Sequence, residues 1–257
     1  MTERAGATER ADMTARAASI AGAAANVDPM LQSLARRAST RCRWPGEPVE
    51  IAGAVHSVAV ATDPDGMLIE ACERQDAGET DVIDPFWAAT WRAAAGLDRF
   101  MQRMDLTDSR VLELGCGTGH AGLAAALLGG RVVLTDGVSD PLLLVRMSTW
   151  KIRHRCQVRR LRFGIDRLQE SPFPLILGSD VTYLRDLWPE LHHCLIEHLA
   201  DGGRVLLSDP HRIIANEFRD WIRRHDWVYD EFQVEMLDDA EHPIRIMQLT
   251  RPTKRVG

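Results

Sequence analysis

From Ser109 onward the chain alternates short apolar runs with longer amphipathic segments, and no other feature constrains its fold as strongly. The runs Val111–Leu114, Arg131–Thr135, Gln157–Leu161, Pro174–Ser179 and Arg204–Ser208 have the length and the Val, Ile and Leu content of buried strands. Gly119–Leu128, Asp140–Ile152, Trp188–Ala200 and Ile213–His225 carry apolar residues at helical spacing. Parallel strands need crossovers of this size, and each helix buries its apolar stripe by lying on the sheet. The pattern predicts an α/β fold with a mostly parallel sheet covered on both faces. Trp227–Glu235 and Pro243–Thr250 follow with no helix between them, which predicts a C-terminal antiparallel hairpin along one edge.

Upstream, the reading is of smaller pieces. Residues 1–45 form an Ala- and Arg-rich tail, expected to be loose or partly helical. Residues 46–84 predict an N-terminal β-hairpin: a strand over Glu50–Ala61, a turn at Asp63–Pro64–Asp65–Gly66 and a returning strand over Met67–Ala71. Asp84–Pro85 then opens a helix running to about Arg103, because Asp can cap and Pro is pre-shaped for the first helical position. The main domain is expected to span 85–257.

Composition sets the class. A hydrophobic content of 45% and a charged content of 26% suit a globular core. No run of 18 apolar residues suggests a membrane span, and a net charge of −6 gives no general attraction to nucleic acid. The five cysteines lie far apart with no CxxC pair, so neither a disulfide framework nor a metal site is expected, and a cytoplasmic location follows.

The strand Val111–Leu114 delivers the chain into Gly115, Gly117 and Gly119, at the start of a predicted helix. Glycines there allow unusual dihedrals and close approach of a ligand, and a helix N-terminus offers free N–H groups to an anion. The second strand ends at Asp136, where a carboxylate can accept the hydroxyls of a ribose. Gly117, Gly119 and Gly122 also satisfy the dinucleotide pattern G-x-G-x-x-G, so the glycines alone leave both S-adenosylmethionine and NAD open. Glu113, two residues before the first glycine, favours the cationic ligand, since it would attract an ammonium and repel a pyrophosphate.

VLELGCGTGHAGLAAALLGG followed by VVLTDG resembles the class I, seven-β-strand methyltransferases, whose fold is Rossmann-like. Asp180–Val181–Thr182–Tyr183, directly after the fourth strand, resembles the Asp-x-x-Tyr signature of methyltransferase family 16, a group of mostly protein-lysine methyltransferases. WRAAAGLDRFM from Trp91 resembles that family's Trp-Pro-Ala-Ala helix, with Arg92 in place of the proline. Leu161–Arg162–Phe163–Gly164 stands where the family has Leu-Asp-Trp-Gly, Phe163 replacing the tryptophan. LGSDVTY together with LLSDPHR is similar to the branch acting on electron-transfer flavoprotein β subunit, through Asp209, Pro210, His211 and Arg212. The resemblance spans about Pro85 to Thr250. It implies S-adenosylmethionine held by Trp91, Glu113, Gly115, Gly117, Gly119, Asp136, Phe163 and Asp180, with transfer to a lysine amine of a protein substrate.

Asp180 and Tyr183 are the expected catalytic residues, Asp180 positioning the amine and Tyr183 walling the channel. Asp209 ends the fifth strand on the same side and is a further candidate. His192, His193 and His198 are expected to be solvated, and Cys116 to be a small filler. Lys151–Arg167 carries seven basic residues against one Asp, as suits a protected sheet edge. A small-molecule N-methyltransferase is the alternative, with an NAD-binding oxidoreductase behind it.

Overall fold

The computed structural model describes residues 29–37, 41–46, 48–80 and 82–252. Helix α1 (Pro29–Arg37) seats Leu31 and Leu34 against Leu144 and Met147; the remainder of the expected tail before it lies outside the described residues. Strand β1 (Cys42–Arg43) pairs antiparallel with β4 (Val60–Ala61), and β2 (Pro48–Ile51) with β3 (Ala54–Ser57). The β2–β3 turn is Ala52–Gly53, both at positive φ, as a two-residue hairpin turn requires.

The hairpin therefore closes earlier than the sequence reading places it. Met67–Ala71 is not a strand but part of helix α2 (Pro64–Asp76). Asp63 accepts the Gly66 N–H at 3.0 Å and Pro64 occupies the first turn, so the Asp-Pro-x-Gly motif opens a helix instead of reversing a strand. A second correction concerns Asp84–Arg103. Phe86–Ala88 is a single 3₁₀ turn, the backbone is extended at Ala89 and Trp91, and helix α3 begins only at Arg92 and ends at Met101. The Trp91 indole N–H donates to the Phe86 carbonyl at 2.8 Å, using an acceptor that a continuous helix would have offered to its own backbone.

The seven-stranded sheet comprises β5 (Arg110–Leu114), β6 (Arg131–Asp136), β7 (Cys156–Arg160), β8 (Phe173–Ser179), β9 (Leu199–Asp209), β10 (Val228–Val234) and β11 (Ile244–Thr250). Their order is β10-β11-β9-β8-β5-β6-β7, parallel from β9 to β7 and antiparallel at β11 and β10. Helices α3, α4 (His120–Leu127) and α5 (Ser139–Ser148) cover one face with Leu97, Met101, Ala124 and Val145; Ile51 and Val58 of the N-terminal segment join this core. Helices α6 (Trp188–His198) and α7 (Ile213–Ile222) cover the other with Trp188, Leu195, Phe218 and Ile222. β7 is an edge strand, with Gln157, Arg159 and Arg160 exposed. Its arginines are the charged edge expected from Lys151–Arg167.

The chain runs β5 to β6 to β7 in one direction, then returns to the opposite side of β5 as β8. The loops after β5 and β8 thus diverge from adjacent strand ends. Such a switch point is where open α/β sheets bind ligands.

Candidate active site

A cavity of about 440 Å³ opens at that switch point, within the range of small-molecule sites. The loops after β5, β6, β7 and β8 line it, together with the segment Ile83–Trp91. Gly115, Gly117 and Gly119 all have positive φ. A Cβ on Gly115 would also stand 2.9 Å from Val181, so the β5 loop and the loop carrying Asp180 abut only because residue 115 is glycine. Gly119 serves differently: it begins α4, packs against Val145 and does not line the cavity.

Asp136 is buried and faces the cavity from the end of β6. One oxygen accepts the Gly117 N–H at 3.0 Å and the other the Val138 N–H at 2.8 Å. Burial raises its pKa, and the surrounding backbone amides oppose that rise. A carboxylate oxygen has two lone pairs, so each keeps acceptor capacity for a ligand. Phe163 lines the same cavity after β7, and Trp91 and Tyr183 line it from the other side. Phe86 meets Tyr183 edge-on at 5.9 Å and Trp91 at 6.4 Å, linking the two.

Glu113 departs from expectation. Successive strand residues face opposite sides of a sheet; Leu112 and Leu114 face α6, so Glu113 faces α4. Its carboxylate packs against Gly122, makes no well-formed hydrogen bond and does not reach the cavity. Burial pushes its pKa up to about 8, the Gly122 amide offsetting only part of this and the Asp136 charge adding to it. Burial thus favours the protonated form of Glu113, which offers no charge to a cation.

Asp180 follows β8 at φ 55°, a left-handed conformation that Asp tolerates better than most residues. Its amide donates to the Ser208 carbonyl, and its buried carboxylate receives both Arg212 Nε (2.9 Å) and Nη2 (2.7 Å). The Arg212 guanidinium also lies 5.3 Å from the centre of the Trp91 ring. Burial, with Asp136 and Asp180 nearby, raises the Tyr183 pKa, keeping the phenol protonated. Asp209 does not line the cavity; its Oδ1 accepts the Arg212 backbone N–H at 2.8 Å.

Two residues escaped the sequence reading. His120 lines the cavity from the first turn of α4, and its Nε2 lies 3.2 Å from buried Asp98 of α3. Asp98 also accepts the Ala52 amide (3.0 Å) and the Gln102 side chain (3.1 Å), tying the N-terminal hairpin to the glycine turn. The place of His120 directly after Gly119 was the available signal; nothing local marked Asp98. The helix histidines divide. His193 is exposed, but His198 is fully buried, accepting the Leu168 amide at Nε2 and donating from Nδ1 to the Cys194 carbonyl. It is a core histidine, not a solvated one. Burial holds the Cys116 thiol well above its usual pKa, consistent with a filler and not a nucleophile.

A family model described as lysine methyltransferase matches residues 72–238. The chain belongs to this methyltransferase family 16. Within known members, it is 38% identical over 130 residues to a Danio rerio protein named protein N-lysine methyltransferase METTL21A, covering 47% of this chain and 58% of that one. It is 30% identical over 138 residues to the Xenopus laevis electron transfer flavoprotein beta subunit lysine methyltransferase, covering 50% and 54%. The chain thus spans little more than half the length of these two relatives. Among solved structures, a glycopeptide N-methyltransferase crystallised with S-adenosyl-L-homocysteine superposes with a TM-score of 0.55 at 14% identity, over 62% of this chain and 87% of that one. That likeness confirms the class I methyltransferase fold of this family member.

Proposed function

We propose that this family 16 member is an S-adenosylmethionine-dependent methyltransferase that modifies a lysine amine of a protein. The observation carrying the reading is the convergence, on one cavity, of Asp136 from the nucleoside side and Asp180 and Tyr183 from the acceptor side. The donor set suits the cofactor: spare acceptor positions on Asp136 for ribose hydroxyls, Phe163 for the adenine face, and the open backbone of Gly115 and Gly117 beside them. Trp91 completes this wall. When bound, S-adenosylmethionine would supply a methyl group to a nucleophile in line with the C–S bond, its sulfur leaving as a neutral thioether.

The residues on the acceptor side do the rest. A free lysine has a pKa near 10.4, so holding its amine neutral at pH 7 costs roughly 4–5 kcal/mol. The apolar and aromatic wall formed by Ile83, Tyr183 and Leu187 strips water from the amine, which favours its neutral form. Asp180 accepts an N–H and holds the lone pair in line, where alignment contributes much of the acceleration. Tyr183, still protonated, serves as a wall and a hydrogen-bond donor.

A protein acceptor is favoured over a small metabolite because no residue of the β2–β3 hairpin lines the cavity, so the hairpin is not a lid over it. Exposed Ile83, Ile165 and Leu187 at the mouth offer apolar contact to a large partner. Among the described residues no helix is long and apolar enough to cross a membrane. The test is transfer of labelled methyl into a lysate of the source organism, with wild type and Asp180→Ala compared at equal cofactor binding. Label confined to metabolites would overturn the protein acceptor, and undiminished transfer by Asp180→Ala would overturn the role of Asp180.

A further inference from the structure

Asp180 is not a free carboxylate. Arg212, 32 residues later and at the start of α7, engages both its oxygens, and the same guanidinium rests over Trp91. The arginine is itself held: Asp209 accepts its backbone N–H, and Asp209 lies across from Arg245 in the β9–β11 register. Arg212 does not line the cavity but stands behind Asp180.

This arrangement resolves a conflict in the acceptor chemistry. A carboxylate alone within 4–6 Å of an amine stabilises the ammonium form and raises its pKa, the opposite of what a nucleophile needs. A cation fixed behind the carboxylate cancels much of that field while leaving its oxygens able to accept an N–H. Building on the lysine reading above, we propose that Arg212 is a positioning residue, aiming Asp180 into the cavity and offsetting its charge so that a bound amine is oriented without being kept as ammonium. The other charged or titratable groups facing the pair are Asp209 and Arg245 from the β9–β11 side, Asp136 from β6, and Asp84 and Tyr183 from the cavity wall. Arg245 makes its ion pair with Glu231 and contacts His211, so Arg212, hydrogen-bonded to both oxygens, is the cation that compensates Asp180.

The test needs no identified acceptor. n-Butylamine, which has the reacting end of a lysine side chain, is titrated by calorimetry at pH 7 into the full chain saturated with S-adenosylhomocysteine. Arg212→Met exposes Asp180 uncompensated and is expected to bind the butylammonium ion about tenfold more tightly than wild type. Arg212→Lys, which keeps a cation, is expected to stay close to wild type. In the transfer assay the acid limb of the rate profile of Arg212→Met moves up by about one pH unit, a change that a merely structural residue would not produce. Butylamine affinity equal in wild type and Arg212→Met, with S-adenosylhomocysteine binding retained, would overturn the proposal; Arg212→Gln gives the same reading if the Met variant does not hold its fold. Failure of wild type to bind S-adenosylhomocysteine would instead overturn the methyltransferase reading, so the two failures are distinguishable.

Discussion

Replacing Glu113 by Gln tests whether the acidic residue beside the glycine turn is a ligand or a buried neutral acid. Burial pushes its pKa up to about 8 in the fold, from an ordinary value of 4.5. Between those values the folded protein holds a proton that the unfolded chain releases, so stability falls as pH rises, by about 1.4 kcal/mol per unit. The cost is absent below about pH 4.5, reaches ~3 kcal/mol at pH 7 and stops growing above about pH 8. Glu113→Gln removes this dependence. Its own amide adds a constant increment from an unpaired N–H, so the quantity to read is the slope and not the offset. Urea unfolding of both proteins at pH 5, 6, 7 and 8 should show the variant gaining on wild type steadily to pH 8. Calorimetry should find S-adenosylhomocysteine affinity unchanged. A stability difference that stays flat across this range, or a tenfold loss of affinity, would refute the reasoning and restore Glu113 as a ligand.

Asp136→Ala is expected to weaken S-adenosylhomocysteine binding at least tenfold, because it removes both the ribose acceptor and the bonds that shape the Gly117 and Val138 backbone; calorimetry reads this directly. Asp98→Asn should destabilise the fold by about 1–3 kcal/mol at pH 7, because it turns one of the two oxygens that serve His120, Ala52 and Gln102 into an N–H donor. Burial raises the Asp98 pKa, but bonds from His120, Ala52 and Gln102 outweigh it and leave the group below its ordinary value. Its stabilisation is therefore present above about pH 4 and lost as pH falls through the folded pKa, so the Asn deficit should shrink in acid unfolding curves. Gly96→Ala places a Cβ 2.5 Å from Ile244 where α3 meets β11, and should cost about 1–3 kcal/mol in urea unfolding without altering cofactor affinity.

What the sequence reveals follows the range of the interactions involved. The strand–helix alternation predicts the five parallel strands, and the two consecutive runs after them the antiparallel pair, because burial imposes its period on contiguous residues. Where one local motif has two physical uses, the reading fails: Asp63–Pro64 caps α2 as readily as it would start a turn. The break at Ala89–Trp91 was hidden because an indole N–H, not a glycine or proline, diverts the helix. Glu113 shows a further limit. Its position beside the glycines was legible, but the side of the sheet it faces was set by strand alternation and by α4 lying over it.

The two halves of the site differ in the same way. Asp136 is fixed by amides of Gly117 and Val138, residues of the adjoining turns, so the cofactor half is encoded almost entirely in two short stretches. Asp180 is fixed by an arginine from the far end of β9 and by the Trp91 ring, brought together only when β8 and β9 pair in register. A nucleoside site held by local backbone tolerates change elsewhere in the chain. An acceptor site held by a charge pair across two strand ends does not, because a change in register would leave Asp180 buried without its cation. Under the proposed roles, selection of the acceptor is thus tied to the integrity of the sheet, whereas cofactor binding is tied to two turns.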